Sequence, residues 1–239
     1  MIVRRHVIIW PVMTEILAAH KNSWAIVPVK TLAEAKSRLS PVLTVGQRQQ
    51  LALRLLTHTL TILKAAQEAE LLQGFVIVSP DSHLNEIVKT FGGNYLAEDN
   101  GNNNSSLNLA LGQAARWCVA NKAAKMLLIL PTDLPLLTLE ALQEIVVAAL
   151  PDSCVIVPDT LEQGTNALLL NPATRLNYNY FFGENSFRQH RMALAKEGAS
   201  LLIKHNPGLA FDLDLPEDLA LLPPTWWDNL PEVRGVINK

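Results

Sequence analysis

The stretch KMLLILPTDLPL, residues 125–136, decides how this chain is read. Lys125 to Leu130 is an apolar run with the length of a buried strand. It stops at Pro131, and Asp133 follows between Pro131 and Pro135, so a single carboxylate stands at the carboxyl end of that strand. In open α/β sheets ligands bind at that end, and a lone Asp there suits a Mg²⁺ that carries phosphates. The competing role for Asp133 is a helix cap or a turn-stabilising side chain.

Outward from this point the chain alternates between strand and helix patterns. Trp24 to Val29 reads as a strand, followed by a cationic loop and a helix over 47–66 that places Ala52, Leu56, Leu60 and Leu63 on one face. Strands are expected at 75–78, 154–157, 167–170 and 201–204, and helices at 84–91, 107–119, 139–150 and 187–197. The alternation predicts an α/β fold, a single domain with a mixed, mostly parallel sheet flanked by helices. Domain limits fall at 24–222, with an N-terminal extension (1–23) and a C-terminal tail (223–239) that holds Trp226 and Trp227. EDNGNNNSS (98–106) is a loop, with Asn102 to Asn104 read as a solvated connector.

Three further junctions carry polar groups. QGTNALLL (163–170) runs from a turn into a strand, where Thr165 and Asn166 can bond a ligand or merely the neighbouring backbone. Gly164 permits a positive φ or a close approach. FDLDLPEDL (211–219) reads as a strand end followed by a helix with Pro in its first turn. Period-two alternation puts Asp212 and Asp214 on one side, so at least one can join Asp133 around a cation, while Asp214 is also a candidate N-cap. Gly183 and Ser186 lead into a helix at Phe187, a natural anion site, although Ser186 with Gln189 also fits a capping box. Lys30, Lys36 and Arg38 follow the first strand and suit a triphosphate, with Lys30 ranked ahead of Lys36, for which an exposed helix start is the plain alternative.

A chain of 239 residues, 49% hydrophobic, is long enough for one large domain. Its net charge of −2 gives no field for nucleic acid. The two cysteines, Cys118 and Cys154, lack metal-ligand spacing and read as buried thiols in a reducing cytoplasm. The N-terminus, MIVRRHVIIWPVMTEILAAHKN, has an apolar run broken by Pro11 and Glu15, which is too short to span a bilayer. An amphipathic extension, an added edge element and an over-long translation start all stay open for it. No other stretch is long and apolar enough to span, so no membrane partner is expected.

Taken together, PVKTLAEAKSRLS (28–40), SSLNLALGQA (105–114), LPTDLPL (130–136), QGTNALLL, GENSFRQH (183–190) and FDLDLPEDL resemble the guanylyltransferases of deazaflavin-coenzyme biosynthesis. The six blocks occur in the expected order between about Trp24 and Leu222, so the resemblance covers most of the chain. It implies the nucleotide-diphospho-sugar transferase (GT-A-like, Rossmann-like) fold, with GTP and a three-carbon phosphate, 2-phospho-L-lactate or phosphoenolpyruvate, as substrates and pyrophosphate as leaving group. It also implies Mg²⁺ on Asp133 with Asp212 or Asp214, Lys30 and Asp133 in the catalytic centre, and Lys30, Lys36, Arg38 and Asn108 on the nucleotide. Thr165, Gly183 and Ser186 then fall on the acceptor side, and a homodimer is compatible. Asn166 is read beside them from its strand junction, and His190, one turn inside the helix, is read as an acceptor contact with a structural histidine as the alternative. Two readings compete: a nucleotidyltransferase using another nucleotide and another small phosphate or sugar phosphate, and a non-catalytic nucleotide sensor. The second would be marked by loss of the acidic residues, yet Asp133, Asp212 and Asp214 are present.

Overall fold

A computed structural model describes residues 22–99 and 106–227. The N-terminal extension up to residue 21, the Asn102 to Asn104 connector and the tail beyond Trp227 lie outside the described residues.

Among the described residues seven strands form one sheet: β1 (Ser23–Pro28), β2 (Gly74–Ser79), β3 (Asn94–Ala97), β4 (Met126–Ile129), β5 (Ser153–Pro158), β6 (Thr165–Leu170) and β7 (Ser200–Ile203). Their order is β3-β2-β1-β4-β6-β5-β7. All neighbours are parallel except β6, which runs antiparallel to both β4 and β5. The expectation of a mixed, mostly parallel sheet holds. Because β6 is reversed, its first residues lie at the same edge as the carboxyl ends of the other strands. The hairpin from β5 to β6 thus delivers Thr165 and Asn166 to the ligand edge.

The helices are α1 (Val45–Glu68), α2 (Leu84–Thr90), α3 (Leu107–Lys122), α4 (Leu139–Ala148), α5 (Ser186–Lys196) and the single turn α6 (Pro207–Ala210). Alternate strand residues feed two separate cores. Ala25, Val27, Phe75, Ile77, Leu128, Val155 and Leu169 pack with Leu56, Leu60 and Leu63 of α1 and with Leu142 and Ile145 of α4. Trp24, Ile26, Val76, Leu127, Ile129, Ile156 and Leu168 pack on the other face, with Leu111 and Ala114 of α3 and Phe187 and Leu194 of α5. This is the period of two expected of strands buried on both faces. A third cluster lies apart from the sheet. Leu39 and Leu43, beyond the cationic loop, meet Leu51 and Leu55 of α1, Leu213, Leu219, Leu222, Trp226 and Trp227 there. Among the described residues no helix is long and apolar enough to cross a membrane. Cys118 and Cys154 are both buried and free, and burial pushes both thiol pKa values up.

Three local expectations are corrected. Asn94–Ala97 is a strand that no pattern marked, because four half-exposed residues at a sheet edge carry little periodicity. Residues 211–214 are extended but join no ladder, and the segment after them is a 3-10 helix (Pro216–Leu221). Ser186 forms no capping box: it is the first helical residue, Asn185 takes the N-cap position in the left-handed region, and Gln189 donates to the Glu184 carbonyl.

Candidate active site

The cationic loop crosses the sheet edge in two short 3-10 turns, and Lys36 between them has φ 52° and ψ 39°. A left-handed conformation at a residue with a Cβ costs on the order of 1 kcal/mol, so the surroundings must hold it. They do so through the side chain. Lys36 Nζ lies 3.2 Å from Asp133 Oδ2, 3.1 Å from Asp214 Oδ1 and 2.6 Å from the Leu213 carbonyl oxygen. Burial pulls the Lys36 pKa down, but the charges of Asp133 and Asp214 outweigh it, and the pKa ends above its ordinary value. The ammonium is therefore permanently charged near neutral pH.

Leu213 ties the loops together. Its N–H donates to the Asp133 carbonyl, its own carbonyl accepts from Lys36, and its side chain is buried in the third core. Asp214 is not a helix cap. Asp218 does that work, accepting from the N–H groups of Asp214 and Leu215, which leaves the Asp214 carboxylate to Lys36 and, at 3.3 Å, to the exposed Arg38. Asp212 makes no bond to Lys36 and instead accepts from Asn166 Nδ2 at 3.3 Å. Burial, then the nearby Asp133 charge, pushes its pKa up to about 6 against a modest downward pull from Asn166. The carboxylates around Asp133 thus form a site short of positive charge, with one ammonium already in it. Hard oxygen donors of this kind suit Mg²⁺. No group of three or more His, Cys, Asp or Glu among the described residues is arranged to cage a metal unaided. Phosphate oxygens would have to complete the set.

Lys30 is exposed and makes no ion pair among the described residues, so Lys36, ranked second on sequence, holds the centre. Two residues escaped the sequence reading. Asp81, at the carboxyl end of β2, accepts from the Leu32 N–H at 3.4 Å and so pins the cationic loop. Thr31 carries a buried hydroxyl with no hydrogen-bond partner among the described residues. A carboxylate just past a strand was the available signal for Asp81.

The acceptor-side residues form a second network. Asp159 closes the β5–β6 turn by accepting from Gln163 and Gly164 N–H, and a Cβ at Gly164 would meet its Oδ2 at 2.7 Å. The absence of a Cβ at Gly164 leaves room for that carboxylate. Pro158 pairs with Thr165 but Val157 pairs with Ala167, so Asn166 is the extra residue of a bulge. Successive strand residues face opposite ways, and the bulge reverses which face each takes: Thr165 Oγ1 lies 3.1 Å from His190 Nδ1 on α5, while Asn166 bonds the Leu209 and Ala210 carbonyls of α6. Gly183 has φ +127°, a conformation that glycine adopts freely. At the start of α5 the Ser186 N–H is taken by the Gly183 carbonyl and the Phe187 N–H by the Gln163 carbonyl. Asn108, in the first turn of α3, bonds both the N–H and the carbonyl of Phe182. Its amide holds the segment before Gly183.

The sequence matches the profile of a family described as CofC-like guanylyl transferases over residues 23–222. The chain is 36% identical over 200 residues to phosphoenolpyruvate guanylyltransferase from Rubrobacter xylanophilus, covering 83% of this chain and 92% of that one. It is 31% identical over 198 residues to 3-phospho-D-glycerate guanylyltransferase from Colwellia psychrerythraea, covering 82% and 89%. Among solved structures, a provisionally assigned nucleotide-diphospho-sugar transferase from Desulfovibrio desulfuricans superposes with a TM-score of 0.71 at 16% identity, covering 91% of this chain and 97% of that one. A nucleotidyl transferase from Methanothermobacter gives 0.59 at 11% identity, covering 87% and 98%. At such identities these two speak for the fold alone, the one expected from the sequence blocks. The family profile spans the whole sheet and both polar networks at its edge, and with relatives above 30% identity along the same span, the chain belongs to the CofC-like guanylyl transferases.

Proposed function

We propose that this chain transfers the guanylyl group of GTP to the phosphate of a three-carbon acid, phosphoenolpyruvate or 2-phospho-L-lactate, in the making of a deazaflavin coenzyme in the cytoplasm. The observation that carries the reading is the pairing of a carboxylate cluster around Lys36 with a separate polar network at one sheet edge, in a chain of this family. A phosphate oxygen of the acceptor attacks the α-phosphorus of GTP, a new P–O bond forms, and the bond to the β-phosphate bridging oxygen breaks to release pyrophosphate. No general base is required, because the attacking oxygen is already largely ionised at neutral pH.

What the protein contributes is charge and position. Mg²⁺, held by Asp133 with Asp214 or Asp212 and by phosphate oxygens, would supply positive charge to the triphosphate. Lys36 carries a permanent charge beside the same carboxylates. It is suited to turn toward phosphate when the nucleotide arrives, with Arg38 and Lys30 at the rim. Thr165, Gly183 and Ser186 are the residues assigned to the acid. The name of the Colwellia relative favours a second acceptor, 3-phospho-D-glycerate, within the same reaction class. A pyrophosphate-release panel crossing GTP, ATP, CTP and UTP with phosphoenolpyruvate, 2-phospho-L-lactate and 3-phospho-D-glycerate tests the reading. Release with GTP and one of these acids is expected. Release only with another nucleotide, or none with any pair, would overturn it.

A further inference from the structure

His190 and Thr165 are both buried, and the direction of their hydrogen bond follows from a third group. The Phe181 N–H donates to His190 Nε2 at 3.1 Å. A ring nitrogen that accepts carries no proton, so in the neutral imidazole the proton sits on Nδ1. Burial pushes the His190 pKa down to about 4, against an upward pull from the Ser186 carbonyl, so the ring stays neutral over the physiological range. Nδ1 is 3.1 Å from Thr165 Oγ1. The Thr165 oxygen is then the acceptor, and its own hydrogen cannot point back at the ring. No acceptor among the described residues takes that hydrogen.

The arrangement is held on every side. Phe181 and Phe182 meet the imidazole edge-on, with centroids 5.9 and 4.8 Å away. Asn108 fixes the Phe182 backbone through both its N–H and its carbonyl, and so fixes the neighbouring Phe181 N–H that sets the tautomer. The bulge in β6 turns Thr165 toward this ring instead of toward α6.

We propose that His190 is a positioning residue that turns the Thr165 hydroxyl hydrogen away from the ring and makes Thr165 a hydrogen-bond donor to the acceptor substrate. This position would then favour an anionic oxygen, of a carboxylate or a phosphate, which takes that hydrogen, over an ammonium or an amide NH₂, which would leave it unpaired. The inference rests on the reading of Thr165 as an acceptor-side residue, and Asn108 belongs to the same device as the clamp on its reference point.

Two measurements test it. In protein labelled with ¹⁵N at histidine, two-bond ¹H–¹⁵N correlation should show His190 as the Nδ1–H tautomer at pH 7, still neutral at pH 5.5. An Nε2–H tautomer would overturn the inference, whatever reaction the protein catalyses. The second measurement separates the two ring nitrogens. His190→Gln places an amide where Nε2 stands and keeps the Phe181 bond, whereas His190→Asn places one where Nδ1 stands and keeps a donor to Thr165. For H190Q the acceptor KM should rise about threefold to tenfold with the GTP KM little changed, and H190N should recover most of that loss. In a Thr165→Val background the H190Q change should add nothing further, because the hydroxyl it orients is gone. Independent, multiplying effects of T165V and H190Q, or an H190Q protein with parental acceptor KM, would return His190 to a packing role. Calorimetric titration with phosphoenolpyruvate gives the same comparison without turnover, so a failure of guanylyl transfer is told apart from a failure of this inference.

Discussion

Replacing Lys36 by Met leaves Asp133 and Asp214 facing each other without the ammonium that separates them. At 3.1 and 3.2 Å each ion pair is worth roughly 5 kcal/mol of Coulomb energy at an effective dielectric of about 20. Most of this is offset by the desolvation of three charges. Removing one partner of a fully buried pair costs about 3–5 kcal/mol, and an exposed pair about 0–1. Here the lysine side chain is 10% exposed but the two aspartates are 28% and 35% exposed. An intermediate loss of about 2 kcal/mol is expected by that comparison. The sign with pH is fixed by the raised Lys36 pKa. The lysine's contribution is present in full below its ordinary value of 10.5 and is lost as pH rises through the higher folded value. At pH 8 it is complete, and urea unfolding in EDTA at that pH measures the deficit of the variant. Mg²⁺ should then raise the melting temperature of K36M more than that of the parent, since the ion no longer competes with the ammonium. A variant as stable as the parent at pH 8 and equally indifferent to Mg²⁺ would refute the electrostatic account of Lys36.

Other outcomes follow from the same geometry. Asp133→Asn should keep the fold but lose on the order of 10² or more in turnover, because it removes charge where the triphosphate is stabilised, and near-parental pyrophosphate release would remove Asp133 from the centre. Asp212 has a folded pKa of about 6, above its ordinary 3.8, so in EDTA its ionisation subtracts stability as pH rises from 4 through 6. Asp212→Asn should therefore melt higher than the parent above pH 6 and show little gain at pH 4. A difference independent of pH would contradict the shift. Trp226→Ala removes a buried ring that lies 5.2 Å from the Arg54 guanidinium and meets His58 edge-on. A loss of about 3 kcal/mol in urea unfolding is expected for so large a truncation, and a loss below about 1 would mean that the third core tolerates its absence.

The parts of the fold visible in the sequence are those with local periodicity. Leu56, Leu60 and Leu63 at helical spacing, and the continuous apolar runs of β2, β4 and β6, report burial directly through composition. β3 was missed because an edge strand of four half-exposed residues leaves no such mark. At the site, residue types were legible but contacts were not. Nothing local tells Lys36 from Lys30, since its carboxylate partners stand 97 and 178 residues away in the chain. Likewise, spacing offers Asp214 and Ser186 as caps beside their ligand roles, whereas the N-cap positions fall to Leu215, whose N–H donates to Asp218, and to the left-handed Asn185. The bulge at Asn166 was hidden for the same reason: alternation alone puts Thr165 and Ala167 on one face, and only the pairing with β5 shows the slip.

The third core has a consequence for how the protein is made. Leu39 follows the cationic loop, Leu213 lies between Asp212 and Asp214, and both belong to one buried cluster with Trp226 and Trp227. During synthesis the sheet strands can pair as they leave the ribosome, but the nonpolar backing of both charged loops is completed only when the tryptophan pair emerges. Until then Lys36 and Asp214 have no common support, and the nascent chain carries a formed sheet with an unassembled ligand edge. Competence for chemistry would come late and all at once, when the last aromatic side chains close behind charges that were translated far apart.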